Sequence, residues 1–147
     1  MAAVIAAAPR AIASLGGIGF LRPAPGTWGS AVVLPLALLP GWVALLAALI
    51  FAVAGYWAVA RLPEAGQDPG WIVVDEAAGQ SLALAAAGGW LGVLLAFALF
   101  RAFDILKPGP VGWADRQHGP FGVMADDLVA GALAAAVLLL LAWVGIA

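Results

Sequence analysis

The sequence predicts an all-α polytopic membrane protein: a single domain over residues 1–147, made of two helical hairpins, some of whose helices are half-length or re-entrant, and a C-terminal transmembrane helix. Three features lead there. The chain is 65% hydrophobic and only 10% charged, whereas a soluble domain carries about 25% charged residues to cover its surface. Three stretches, 23–60, 77–100 and 128–147, hold no charged residue, and about 20 apolar residues suffice to cross a hydrocarbon core of roughly 30 Å. The six basic and eight acidic side chains gather in an N-terminal section and in the segments 61–76 and 101–127.

The first uncharged stretch is too long for one straight pass, and Pro40-Gly41 breaks it. Such pairs punctuate helices, so the stretch reads as a hairpin over about 27–39 and 42–60. Gly88-Gly89 divides the second in the same way, into about 75–87 and 90–106. The third gives one pass over 126–146. Each hairpin returns the chain to its starting side, which gathers all three charged segments at one membrane face. The opposite face is left with Pro40-Gly41, Gly88-Gly89 and the C-terminus. With every Lys and Arg on one side, the positive-inside rule makes that side cytoplasmic. Trp42, Trp90 and Trp143 are then expected at the far interface, and Trp28, Trp57, Trp71 and Trp113 near the charged one. The first limbs, of about 13 residues or roughly 20 Å, are short for a full crossing. The rival is a three-pass chain, with 31–60 and 77–106 as long tilted helices and the 61–76 segment opposite the other two.

Other classes are excluded or disfavoured. A net charge of −2 gives no reason to expect nucleic acid. There is no cysteine, which removes disulfides, thiolate metal sites and a cysteine nucleophile. A cleavable signal peptide is not expected, because Met1-Ala-Ala-Val-Ile lacks a basic n-region.

Chemistry-bearing residues cluster in four places. In Pro23-Ala-Pro-Gly-Thr-Trp-Gly-Ser30, Thr27 is placed to cap the following helix. Asp75-Glu76 opens the third helix. Arg101, Asp104 and Lys107, spaced by three, share one helix face near its end. Asp115-Arg116-Gln-His118 leads to Asp126-Asp127, expected to open the last helix. Helix starts at Thr27, Asp75 and Asp126 would then converge on one face, and helix N-termini bind anions such as phosphate. Adjacent carboxylate pairs imply a cation as well. Hard oxygen ligands suit Mg²⁺, which commonly uses one or two carboxylates and a substrate phosphate. Arg101, Lys107 and Arg116 would neutralise the phosphate, a combination suited to phosphoryl chemistry.

Plainer readings stand beside these. Acids at helix starts and bases at helix ends also complement the helix dipole. His118 can be an interfacial loop residue; Arg10, Arg22 and Arg61 can be topology determinants, and Glu64 a solvated charge. A small cation transporter or channel using the acidic pairs as an ion site is the non-enzymatic alternative. The faces bearing Gly88, Gly89, Gly92 and Gly131 permit close helix packing within or between chains, so a homo-oligomer is compatible with the sequence.

Ala24-Pro-Gly-Thr-Trp-Gly29, Ile72-Val-Val-Asp75-Glu76 with Gly79, and Phe100-Arg-Ala-Phe-Asp104-Ile-Leu-Lys107-Pro108 through Phe121-Gly-Val-Met-Ala-Asp126-Asp127-Leu-Val-Ala-Gly131 together resemble the signature of bacterial phosphatidylglycerophosphatase A, over roughly residues 16–135. The resemblance implies a Mg²⁺-dependent inner-membrane enzyme of phospholipid biosynthesis. It would remove the terminal phosphate of phosphatidylglycerophosphate to give phosphatidylglycerol. On that reading Asp75, Glu76, Asp126 and Asp127 hold the metal, with Asp104 as a further ligand or orienting group. Lys107 and Arg101 bind phosphate, with Arg116 and Thr27 as further contacts. His118 or an acid protonates the leaving oxygen. Water activated at the metal is the expected nucleophile, and attack by Asp104, Asp126 or another carboxylate is the alternative. Two departures stand out: Pro69-Gly-Trp71 before the Asp-Glu pair, where the family tends to carry His and small polar residues, and Pro120, where it commonly has glycine.

Overall fold

The computed structural model describes the backbone of residues 2–146 and the side chains from Ala7 onward. The signal-peptide reading rests mainly on the first five residues, whose side chains lie outside the described ones. Among the described residues there are seven α-helices and no strand: α1 (Ala2–Ala13), α2 (Pro25–Ala31), α3 (Gly41–Val59), α4 (Val74–Leu84), α5 (Gly89–Leu106), α6 (Pro110–Asp115) and α7 (Gly119–Trp143). Short 3-10 turns lie at Ile18–Phe20, Leu34–Leu38 and Pro63–Gln67. Three helices, α3, α5 and α7, are long and apolar enough to cross a membrane. Their outward faces expose large hydrophobic side chains, among them Leu49, Val53, Leu94 and Leu139. In water such a surface would be unstable; against lipid it is the expected solvent face.

Both hairpins are present, and each has a short first limb for a local reason. In α2 the hydroxyl of Ser30 bonds back to the Gly26 carbonyl at 2.9 Å. Pro35 then disfavours the α conformation at Leu34, so the chain runs on as the 3-10 turn. The second limb, α3, starts after Pro40. Helix α4 has 11 residues, about 16 Å of rise, and ends before Gly88 and Gly89, the latter at φ +59°. It is a half-length helix, and nine of its residues are buried, so it forms the axis on which α2, α3, α5 and α7 pack.

That packing needs small residues. A Cβ on Gly79 would run into the Asp127 carbonyl, and one on Gly131 into the Gly79 carbonyl; α4 and α7 therefore touch backbone to backbone. A Cβ on Gly55 would lie 2.8 Å from Met124 Cε and 3.0 Å from Val74 Cγ1, so the bare backbone of α3 there seats side chains of α7 and α4. Phe100, fully buried among Ala77, Ala96, Ala130 and Ala134, fills the space between α4, α5 and α7.

The charged segments meet at one end. Arg10 pairs with Glu64 at 3.3 Å and lies 4.7 Å over the Trp71 ring, and Asp68 shares a cavity with Asp115 and Asp126. The three-pass arrangement, which separates 61–76 from 101–127, does not hold. Trp42, Trp90 and Trp143 are strongly exposed and lie at the other ends of their helices.

Three expectations need correction. Helix α7 starts at Gly119, seven residues before Asp126, because Pro120 fits the first helical turn, where its missing N–H is not needed. Asp126 and Asp127 thus lie two turns inside the helix and do not open it. Thr27 does not cap α2: the cap position is Ala24, and Thr27 is the third helical residue. Glu64 is ion-paired and not simply solvated. The sequence also gave no sign of α1 or α6.

A Gly131→Val substitution tests the α4–α7 contact. Overpacking of this kind costs about 1–3 kcal/mol, so the thermal unfolding midpoint in detergent is expected to fall. Gly66→Val, where a side chain meets nothing within 4 Å, should leave it unchanged.

Candidate active site

Three helices deliver five carboxylates to one place. Asp75 and Glu76 stand in the first turn of α4, where negative charge complements the helix dipole. Asp104 comes from the last turn of α5. Asp126 and Asp127 come from the inner part of α7; Asp127 is eight residues past Gly119, about 12 Å along the axis. Carboxylate oxygens of Asp75, Glu76 and Asp127 lie within 4.8 Å of one another, and so do those of Asp104, Asp126 and Asp127. Asp75, Asp126 and Asp127 are buried, at 7%, 6% and 2% exposure.

Two cations face this group. The Arg101 guanidinium donates to the Asp104 carboxylate. Lys107 donates to Asp126 Oδ2 at 2.7 Å, and its ammonium also lies 3.0 Å from Asp115 and 3.9 Å from Asp104. Lys107 holds this position from an unusual backbone. It is the residue after α5, at φ +49°, because Pro108 disfavours a helical residue before it. A non-glycine residue in the left-handed region costs about 1–3 kcal/mol, which the contacts to Asp126 and Asp115 offset. Partial burial alone would lower the Lys107 pKa; hydrogen bonds to and attraction from Asp126 and Asp115 outweigh it and hold the ammonium above the usual lysine value.

The arrangement suits a hard cation. Five carboxylates against two cations leave excess negative charge in a desolvated place, and an unpaired buried charge is costly. Asp75 Oδ1 and Glu76 Oε2 are buried without any hydrogen-bond partner. These two orphaned oxygens, with the Asp127 carboxylate within 4.8 Å, form the kind of donor set that Mg²⁺ takes.

Beside the group opens a cavity of about 340 Å³, lined by Asp68, Asp115, His118 and Asp126 with Gly119 and Gly122 in its wall. Partial desolvation raises the Asp68 pKa from its ordinary value; Lys107 opposes this, and Asp115 and Asp104 add to it.

The motif-bearing segments of α4, α5 and α7 thus meet at one place. The family model for phosphatidylglycerophosphatase A matches residues 11–142. The chain belongs to the phosphatidylglycerophosphatase A family. It is 42% identical over 124 residues to the phosphatidylglycerophosphatase A of Haemophilus influenzae, covering 78% of this chain and 76% of that one. It is 35% identical to the Escherichia coli protein of the same name, over 83% and 76%. A Bacteroides thetaiotaomicron protein described as a putative phosphatidylinositol-3-phosphatase is 40% identical, over 87% and 89%. No solved structure matches the chain. Family membership places the acidic pairs in a phosphatase and not in a cation carrier.

Most of the residues singled out from the sequence meet here: Asp75, Glu76, Arg101, Asp104, Lys107, Asp126 and Asp127. His118 is exposed at the cavity rim, as the residue preceding α7. Thr27 is half-buried in α2, next to Gly26, whose bare backbone abuts Glu76 and Arg101. Arg116 is exposed, has no ion pair among the described residues and does not line the cavity. Four polar groups were assigned no role from the sequence, although Asp115 was already among the chemistry-bearing residues. Asp68 and Asp115 line the cavity, and Gln80 and Ser81 are fully buried with their side-chain polar atoms unpartnered. Two adjacent polar residues in the uncharged run after Glu76, with Gln80 one turn further along α4, were the available signal.

Lys107→Met would leave Asp126 buried without its cation. Hydrogen bonds to charged groups contribute about 1.5–3 kcal/mol, so the unfolding midpoint in detergent should fall clearly. Arg116→Ala should leave it within about 0.5 kcal/mol of wild type, as for surface substitutions generally.

Proposed function

We propose that this chain hydrolyses the terminal phosphate monoester of phosphatidylglycerophosphate, releasing phosphatidylglycerol and inorganic phosphate, in a Mg²⁺-dependent reaction at the cytoplasmic face of a bacterial inner membrane. The observation that carries the reading is the meeting of five carboxylates with Lys107 and Arg101 in a chain of this family. Two relatives named for phosphatidylglycerophosphatase supply the substrate. The cytoplasmic assignment is supported by the gathering of the basic residues at the site's end of the molecule.

Asp75, Glu76 and Asp127 would hold the ion, with Asp104 and Asp126 beside them. When bound, Mg²⁺ neutralises charge on the transferring phosphoryl group and favours ionisation of water. The chain's own cations do the rest. Lys107, and Arg101 from the preceding turns of α5, bind the phosphate oxygens and balance the charge that builds on them. Water adds to phosphorus as the bond to the glycerol oxygen breaks. The leaving oxygen takes a proton from a group on the cavity wall, where His118 and Asp115 stand. The acyl chains remain in the bilayer against the apolar faces of α3, α5 and α7, and the headgroup enters the recess from the side.

One relative is named for a phosphatidylinositol phosphate, so headgroup choice is tested alongside activity. The experiment measures phosphate release from phosphatidylglycerophosphate and from phosphatidylinositol 3-phosphate in sealed inner-membrane vesicles carrying the protein. Release from the first substrate, dependent on Mg²⁺ and reduced at least ~100-fold by Asp127→Asn, is expected. EDTA does not cross membranes: added outside, it should stop hydrolysis in inverted vesicles and spare it in right-side-out ones. Release from the inositol lipid alone would move the substrate, EDTA-insensitive release would remove the metal, and the opposite vesicle pattern would reverse the orientation.

A further inference from the structure

The two carboxylate trios share one member. Asp127 lies with Asp75 and Glu76 on one side and with Asp104 and Asp126 on the other. It is 2% exposed, and none of the hydrogen bonds or ion pairs among the described residues ends on its carboxylate, which stands between Asp104 and Asp126, both engaged by Arg101 or Lys107, and Asp75 and Glu76, which leave Oδ1 and Oε2 unpartnered. A buried carboxylate common to two further pairs is placed to contact a cation in each.

We propose that the site holds two divalent cations bridged by the Asp127 carboxylate, one against Asp75 and Glu76 and the other against Asp104 and Asp126. This rests on the Mg²⁺-dependent phosphatase reading and adds the number of ions and the bridging residue.

Charge supports two. Five carboxylates with Arg101 and Lys107 carry three net negative charges when ionised, and a phosphate monoester dianion brings two more. One divalent ion leaves the loaded site strongly negative; two bring it close to neutral. Paired ions about 3.5–4 Å apart are a recurrent means of clamping both the attacking and the leaving oxygen in phosphoryl transfer. The two positions are not equivalent. Among the described residues no cation is bonded to Asp75 or Asp127, whereas Asp104 and Asp126 are already engaged by Arg101 and Lys107. The first ion therefore binds more tightly. With an ion at Asp126, the Lys107 ammonium, still within reach of Asp115 at 3.0 Å, would be free to turn to the phosphate.

The test is a titration of the full-length protein in detergent with Mn²⁺ alone, followed by electron paramagnetic resonance. Wild type is expected to bind two ions per chain, the second at least tenfold more weakly, and to show at saturation the closely spaced hyperfine lines of an exchange-coupled pair. Asp104→Asn should lose the second ion and the coupling while keeping the first. One ion at saturation overturns the two-ion site and leaves the single-ion phosphatase reading standing. Two ions without coupling overturn the Asp127 bridge. No tightly bound ion overturns the metal-dependent reading itself.

Discussion

Burying five carboxylates at the meeting point of α4, α5 and α7 is the constraint that organises this molecule. A lone ionised carboxylate away from water is costly, and three of these are more than nine-tenths buried. The chain meets part of the cost with Arg101 and Lys107 and part with the dipole at the start of α4. The remainder falls on Asp75, Glu76 and Asp127, and the unpartnered oxygens of the first two are what the proposed metal would satisfy. Stability is thereby traded for a pre-formed site.

The surrounding packing follows from the need to hold those groups together. Gly79 and Gly131 let α4 and α7 touch along their backbones, which sets Asp75 beside Asp127 to within the span of one ion. The burial of Asp75, Asp126 and Asp127 keeps these carboxylates below the surface. The left-handed Lys107 turns the chain at the end of α5 so that its ammonium comes back over Asp126. On the proposed reading a lipid substrate would keep its tails among apolar side chains while its phosphate meets this group of charges.

Much of this was legible in the sequence because the bilayer imposes simple rules. Uncharged runs interrupted by Pro40-Gly41 and Gly88-Gly89 gave both hairpins, since each run must start and end in water. The site's members were legible because charges are scarce in such a chain, so nearly all of them are functional candidates. What escaped was local. The start of α7 was misplaced because Asp126-Asp127 looked like a helix opening, whereas Gly119-Pro120 provides one two turns earlier. Arg116 was given a phosphate on the strength of its neighbours, yet α6 ends just before it and leaves it exposed, off the cavity. Asp68 and Asp115 reach one cavity with Asp126 only through tertiary packing of the 61–76 loop, α6 and α7, and no spacing along the chain encodes that.

The central claim is that the buried acids of α4 and α7 form a divalent-cation site. An anomalous difference map, from crystals of the protein grown with Mn²⁺, bears on it most directly. Density enclosed by Asp75, Glu76 and Asp127 is the expected result. Density confined to the exposed rim around Asp68 and Asp115, or none at all, would contradict it.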